Sequence, residues 1–416
     1  MRRCAVDAWQ PRPHCGQRLT SAVPDRRHVL VPFAALSASY FAHIGFFNPY
    51  LPLWLKDTGF SLLAIGMLTA IQSATRIFAP YAWGALSDHT GERVKWLRLG
   101  ATVALLASLG LWIPGGFVWV ALVLVVMFTH TSGMMPISEA AMAHLVSRDG
   151  TFDAKRYGRV RLWGSLGFFI TVMLAGVWFE YFGIQHFPAW TVVTLAAVVA
   201  CVWALPNLRE EADASPAHKG KRLVWPVLKQ PLVQWLFASV FFHVLAHMAV
   251  YFFLSLYLDA LGYSKTVIGL LWGASVLVEI VWFFTQSRWL PWLPLSSWLC
   301  VAALLTFIRM GFTAAGADYW PVLLLAQLLH AVTFAAHHSV CIHLISQHFP
   351  AALRGRGQAL YSLIAYGLTG VVGGLAGGAL IEHWGLTSIF WGAMGSAFVA
   401  VCCTYKLTKH VRPEQS

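Results

Sequence analysis

Long apolar runs alternate with short polar, Gly- or Pro-bearing breaks along almost the whole chain. The runs fall at residues 30–55, 61–83, 97–114, 117–145, 158–181, 187–205, 231–258, 264–288, 294–315, 319–346, 357–381 and 385–407. Each is near or above the ~20 apolar residues that a helix needs to cross a bilayer at about 1.5 Å rise per residue. The longest polar break, residues 206–230 (PNLREEADASPAHKGKRLVWPVLKQ), divides the runs six and six, and its charged, Pro-bearing composition is that of a linker. The pattern predicts an all-α membrane protein of twelve transmembrane helices in two six-helix bundles. The bundles are expected at 28–205 and 231–407, with a cytoplasmic linker at 206–230 and cytoplasmic tails at 1–27 and 408–416.

Charge sharpens this picture. Of 416 residues, 58% are apolar and only 11% are charged, against about 25% charged in a soluble domain. A formal charge of +12 would suit a nucleic-acid partner, but the positions of the 29 Lys and Arg residues argue otherwise. Six precede the first span, and three, five and five follow the second, fourth and sixth; one follows the eighth, two the tenth, and three lie near the C-terminus. That puts 25 on one face against Lys56 and Lys265 on the other, with Arg76 and Arg309 inside spans. Such asymmetry predicts both termini in the cytoplasm and accounts for the charge without nucleic acid. The seven cysteines have neither zinc nor disulfide spacing. Residues 1–27 lack the apolar core of a signal peptide; they read as a disordered cytoplasmic tail, or as a start codon placed too early.

The tenth run departs from the others. Residues 321–345 (PVLLLAQLLHAVTFAAHHSVCIHLI) are apolar yet carry His330, His337, His338 and His343. At about 100° per residue, Gln327, His330, Phe334, His337 and His338 share an arc of roughly 100°, with His343 on the other side. Ionisable groups at membrane depth face a protein interior or a watery cavity, so this arc predicts a cavity wall; hydrogen bonding between packed helices is the alternative. Two further stripes invite the same reading: His243, His247 and Tyr251 on the seventh span, and Tyr40, His43 and Phe47 on the first. Glu279 lies about 22 Å into the eighth span, beyond snorkelling reach. A carboxylate so placed must be protonated or paired, and Arg309 and the His330 face are its available partners.

The stretch Gly84-Ala-Leu-Ser-Asp88-His-Thr-Gly91-Glu-Arg93 follows the second span. In that place it resembles the loop signature of the major facilitator superfamily, where the loop latches the two halves and gates; Gly84, Asp88, Gly91 and Arg93 would have that role here. No second copy follows the eighth span, where Gln286-Ser-Arg-Trp-Leu-Pro stands. Pro136-Ile-Ser-Glu139-Ala and Gly158-Arg159-Val-Arg161-Leu-Trp163-Gly164 are similar to stretches of the lactose-permease-like members. There they supply a substrate-binding carboxylate and arginine, which implies Glu139 and Arg161. Both fall near the cytoplasmic ends of their spans, so an ion pair is geometrically allowed. Glu279, Arg309 and His330 stand where the permease has its proton and coupling network. One departure is Thr333, where the permease has a proton-binding glutamate, so proton binding would rest on Glu279, the histidines or both. Thr333-Phe334 followed by His337-His338, together with Ser73-Ala-Thr-Arg76-Ile-Phe78 and the stretch 159–168, looks more like the phenylpropionate-permease branch.

The resemblance implies a proton-coupled secondary transporter of the inner membrane, monomeric and without cofactor or metal, working by alternating access. The expected solute is small, with an aromatic or carboxylate part. Its candidate contacts are Arg76, Glu139, Arg161, Trp163, His43, His247 and Phe334; Glu279, Arg309, His330, His337 and His338 are candidates for proton coupling. Uptake of sugars or nucleosides, and proton-driven efflux, are the alternatives within transport. A membrane haem enzyme is the competing class, since His130 and His144 are 14 residues apart and His330 and His343 are 13 apart. His343 lies off the His330 face, and the transporter signature accounts for more residues. No ATP-binding loop is present, which disfavours a primary pump.

Overall fold

The computed structural model describes residues 26–146, 154–207, 224–350 and 353–410, without the side chains of 26–29, 143–146 and 154–157. Most of the expected N-terminal tail, residues 208–223 of the linker, the last six residues and the His144 side chain lie outside the described residues. Among the described residues, twelve helices are long and apolar enough to cross a membrane. In the first half they are α1 (Leu30–Asp57), α2 (Leu62–Thr90), α3 (Arg93–Trp112), α4 (Phe117–Met142), α5 (Gly158–Phe182) and α6 (Ile184–Trp203). In the second they are α7 (Pro231–Ala260), α8 (Lys265–Trp292), α9 (Leu295–Ala315), α10 (Trp320–His348), α11 (Arg354–Trp384) and α12 (Ser388–Thr408). No strand occurs among the described residues.

Local chemistry sets the ends of these helices. Ser61 caps α2 by accepting from the Ala64 amide, and Ser264 caps α8 by accepting from the Val267 amide; such a cap contributes about 1 kcal/mol. Each serine follows a left-handed glycine that ends the preceding helix, Gly59 (φ 89°) or Gly262 (φ 84°). The pairs Gly59/Gly262 and Ser61/Ser264 are both 203 positions apart. The halves are thus repeats of one plan, as in transporters built from parallel repeats. Helix α2 runs to Thr90, seven residues past its apolar stretch, because Gly91 (φ 67°) ends it by donating to the Ser87 carbonyl. Polarity marks where the lipid ends, whereas the backbone sets where the helix ends.

The halves lie against each other most closely at the end away from the termini. A side chain on Gly66 of α2 would meet the Gly374 backbone of α11, and one on Gly176 of α5 would meet the Lys265 carbonyl of α8. Lys56 and Lys265 both reach Asp259, at 3.3 and 3.6 Å. Glu180 accepts from the Lys265 amide at 2.6 Å, and Glu382 from the Leu63 amide at 3.3 Å. At the terminus end, Tyr81 donates to the Ala359 carbonyl at 3.0 Å. Between these ends the halves leave a central cavity.

Candidate functional site

The cavity has a volume of about 290 Å³. Helix periodicity delivers its wall: α2 contributes Thr69, Gln72, Ser73 and Arg76, and α8 contributes Trp272, Ser275, Val276 and Glu279. The members of the two sets are again 203 positions apart, one for one, so Arg76 and Glu279 occupy equivalent places in the two halves. Helix α1 adds Phe41, Ile44, Asn48 and Leu51, and α5 adds Arg161, Ser165 and Phe168.

The first-half wall is cationic. Arg76 lines the cavity and has no hydrogen-bond or ion-pair partner among the described residues. The Arg161 guanidinium sits over the Phe41 ring, 4.1 Å from its centroid, and its Nε is 3.7 Å from Glu139 Oε1. Glu139 pairs with Arg161 from α4 without lining the cavity. Both members of that pair are more than one-third exposed, so it holds the arginine weakly.

The second-half wall is a buried hydrogen-bonded network with an aromatic face. Arg309 is fully buried; its Nη1 donates to His330 Nδ1 at 3.0 Å and Thr333 Oγ1 at 3.1 Å, and its Nη2 to Gln327 Oε1 at 3.0 Å. Guanidinium has no acceptor, so His330 Nδ1 must be the lone pair and its proton sits on Nε2. That Nε2 is 3.6 Å from Glu279 Oε2. Phe334 stacks on His330 at 4.9 Å with planes 3° apart, and Tyr251 stacks on Trp272 at 6.4 Å. These four rings face the cavity beside Glu279.

Several expected contacts lie elsewhere. Trp163 is 54% exposed and does not line the cavity; two residues from Arg161, it is turned about 200° around α5. His43 lies off the Phe41–Ile44–Asn48 stripe, bonded to Thr194 at 2.9 Å beside a small niche behind Arg76. His247 is buried behind the wall, its Nδ1 2.9 Å from the His243 carbonyl.

The histidine arc of α10 is broken by a π-helical turn over Ala331–Ala336. A π turn takes up an extra residue, which displaces everything after it by roughly 100°. His337 is thereby carried off the cavity face and stacks on His243, centroids 3.7 Å apart. His338 moves back toward the Phe334 side, where its Nδ1 meets Tyr361 Oη at 3.0 Å and Tyr366 Oη at 3.5 Å. Gln327 is buried within the Arg309 network and does not line the cavity. Sequence reasoning missed Trp272, Asn48, Gln72, Tyr361 and Tyr366, because aromatics and amides in apolar runs look alike whether they face lipid, packing or a cavity.

In the sequence after the second span, Gly84 and Asp88 belong to the last turns of α2, and Gly91 makes the turn. Arg93 Nη2 opens α3 by pairing with Asp88 Oδ1 at 3.1 Å.

Comparison with known proteins agrees with this architecture. Residues 35–391 match the model of the MFS_1 like family. The chain is 27% identical over 358 residues to the "Probable 3-phenylpropionic acid transporter" of Escherichia coli (strain K12), covering 85% of this chain and 91% of that protein. It is 24% identical to the maltose permease of Geobacillus stearothermophilus, covering 84% and 87% respectively. Among solved structures, the nucleoside transporter NupG superposes with a TM-score of 0.80 at 14% identity, over 92% of this chain and 99% of that one. The chain is a multi-pass membrane transporter of the major facilitator type, not an enzyme. It belongs to the MFS_1 like family.

Proposed function

We propose that this transporter takes up a small aromatic carboxylate, of the 3-phenylpropionate kind, together with protons. The observation that carries the reading is Arg76, a cation on the cavity wall with no partner among the described residues. An uncompensated charge at membrane depth is costly, and an anionic solute would supply the missing partner. Arg161, set over Phe41 and linked to Glu139, stands as a second cation on the same wall. Opposite, Tyr251, Trp272 and Phe334 offer faces for an aromatic ring. A volume of about 290 Å³ is near the lower end of small-molecule sites, about 300–1,000 Å³, and favours a single ring over a disaccharide. The E. coli relative, a probable 3-phenylpropionic acid transporter, points to the same solute.

Glu279, held near His330, is the proton-binding group, and Arg309 keeps His330 in one tautomer. The asymmetry of Lys and Arg supports a topology with both termini in the cytoplasm, and in this proposal the protein is a monomer in the inner membrane. In that orientation the Gly66, Lys56–Asp259 and Glu180 contacts close the outer side. The loop residues Gly84, Asp88, Gly91 and Arg93 gate the inner one.

Counterflow in proteoliposomes tests this reading. Vesicles preloaded with unlabelled 3-phenylpropionate should accumulate the labelled compound transiently, and an acid-outside gradient should drive its net uptake. Exchange of maltose or a nucleoside with none of 3-phenylpropionate would overturn it in favour of a neutral solute held by Asn48 and Gln72.

A further inference from the structure

Behind the Glu279–His330 pair, away from the cavity, imidazoles continue into the protein. His247 and His243 come from α7, and His337 comes from α10. The His247 ring is 6.4 Å from His330, His243 is 4.9 Å from His247, and His337 is 3.7 Å from His243 with planes within 9°. All four rings are at most 5% exposed, and of these only His330 lines the cavity. His243 lies four residues nearer the start of α7 than His247, so the series descends about 6 Å toward the terminus end.

The hydrogen bonds fix which nitrogens carry protons. His243 Nε2 is 2.7 Å from the Thr333 carbonyl, and His247 Nδ1 is 2.9 Å from the His243 carbonyl. A carbonyl only accepts, so both of those nitrogens are N–H donors and the other nitrogen of each ring is a lone pair. Those lone pairs, His243 Nδ1 and His247 Nε2, are buried and have no partner among the described residues. Buried acceptors without donors are destabilising and uncommon, and two apolar rings would fill the same space without them. One vacant basic nitrogen therefore belongs to the ring beside His330, and the second to the ring behind it.

We propose that His247 and His243 form a proton-holding annex that takes the proton from Glu279–His330 and keeps it out of the solute cavity, with His337 stacked at its far end. The charged and titratable groups around it are Glu279 from α8, Arg309 from α9, Tyr251 on α7, and His338 and Cys341 on α10. His247 Nε2 has no partner among the described residues, so its ring must first close on the pair; the transfer is then of H⁺ alone, the N–H bond formed at His247 Nε2 replacing an O–H bond on Glu279 or an N–H bond on His330, and nothing is oxidised. The proposal rests on the proton-coupled reading above.

The test uses His243→Gln and His247→Asn. Each keeps an amide N–H for the carbonyl its histidine serves, and neither offers a basic nitrogen. In proteoliposomes, gradient-driven accumulation of 3-phenylpropionate should fall about tenfold or more, while counterflow of the same compound stays at the wild-type level. Wild-type accumulation by both variants would overturn the annex. A second measurement needs no solute: ¹⁵N-histidine spectra of the full chain in lipid nanodiscs from about pH 8 to about pH 5. His243 Nδ1 or His247 Nε2 should gain a proton, with a midpoint that moves in Glu279→Gln. Both nitrogens remaining bare throughout would overturn the proposal. If the annex protonates while the wild type shows no proton-driven uptake, the annex stands and the symport reading falls.

Discussion

Helices α2 and α8 are the same piece of the fold, used twice. Each begins with a serine cap after a left-handed glycine and sends four residues at helical spacing into the cavity. The last of the four is Arg76 in one and Glu279 in the other. The surroundings differ as much as the charges. Arg76 has no partner among the described residues, whereas Glu279 is tied through His330 to Arg309, whose two terminal nitrogens also bond Thr333 and Gln327. One wall therefore has spare capacity for a ligand's charge, and the other has its charges matched internally. A repeat supplies two equivalent positions, and divergence around them can separate solute binding from proton handling.

Arg309 and Arg76 break the comparison most sharply. Removing Arg309 leaves His330 Nδ1, Thr333 Oγ1 and Gln327 Oε1 without their donor in the interior. Arg309→Ala is expected to cost about 3–5 kcal/mol, the range for breaking a buried charged network, read as a large fall in the thermal midpoint in detergent. Arg76→Ala should leave that midpoint nearly unchanged; equal destabilisation by the two would erase the distinction between the walls. The next effect in size is on affinity. Losing a hydrogen bond to a charged group costs about 1.5–3 kcal/mol, so Arg76→Gln should weaken 3-phenylpropionate binding roughly 10- to 100-fold in calorimetry. Unchanged affinity would remove Arg76 from the site. Smallest is Glu139→Ala. Its half-exposed pair with Arg161 is worth up to about 1 kcal/mol, so affinity should drop by no more than about fivefold. A hundredfold loss would mean that Glu139 touches the solute directly.

The twelve spans and their division were legible because bilayer crossing forces apolar length, and length survives without any contact information. The charges of the site were legible for a related reason: Arg76, Glu279 and Arg309 stand deep in apolar runs, with no other Asp, Glu, Lys or Arg within eight residues of any of them. What stayed hidden depended on backbone detail. The π turn at Ala331–Ala336 left no mark in the hydropathy, so His337 was assigned to a face that it leaves. Trp163 was drawn in by its neighbourhood to Arg161, although two positions along a helix point nearly opposite ways. Trp272 is the converse: an aromatic in an apolar span looks like one that faces lipid. The spacing of 203 that pairs Ser61 with Ser264 also pairs Thr69 with Trp272, so aligning the halves against each other would have found it.

The division of labour between α2 and α8 is tested most directly by measuring both modes of transport in the paired variants Arg76→Gln and Glu279→Gln. Labelled 3-phenylpropionate is followed in proteoliposomes, first as counterflow without a gradient and then as net uptake under an acid-outside gradient. Arg76→Gln should lose both at low solute concentration and recover both as the concentration is raised. Glu279→Gln should keep counterflow and lose uphill accumulation at every concentration. Uphill accumulation by Glu279→Gln at the wild-type level would contradict the account.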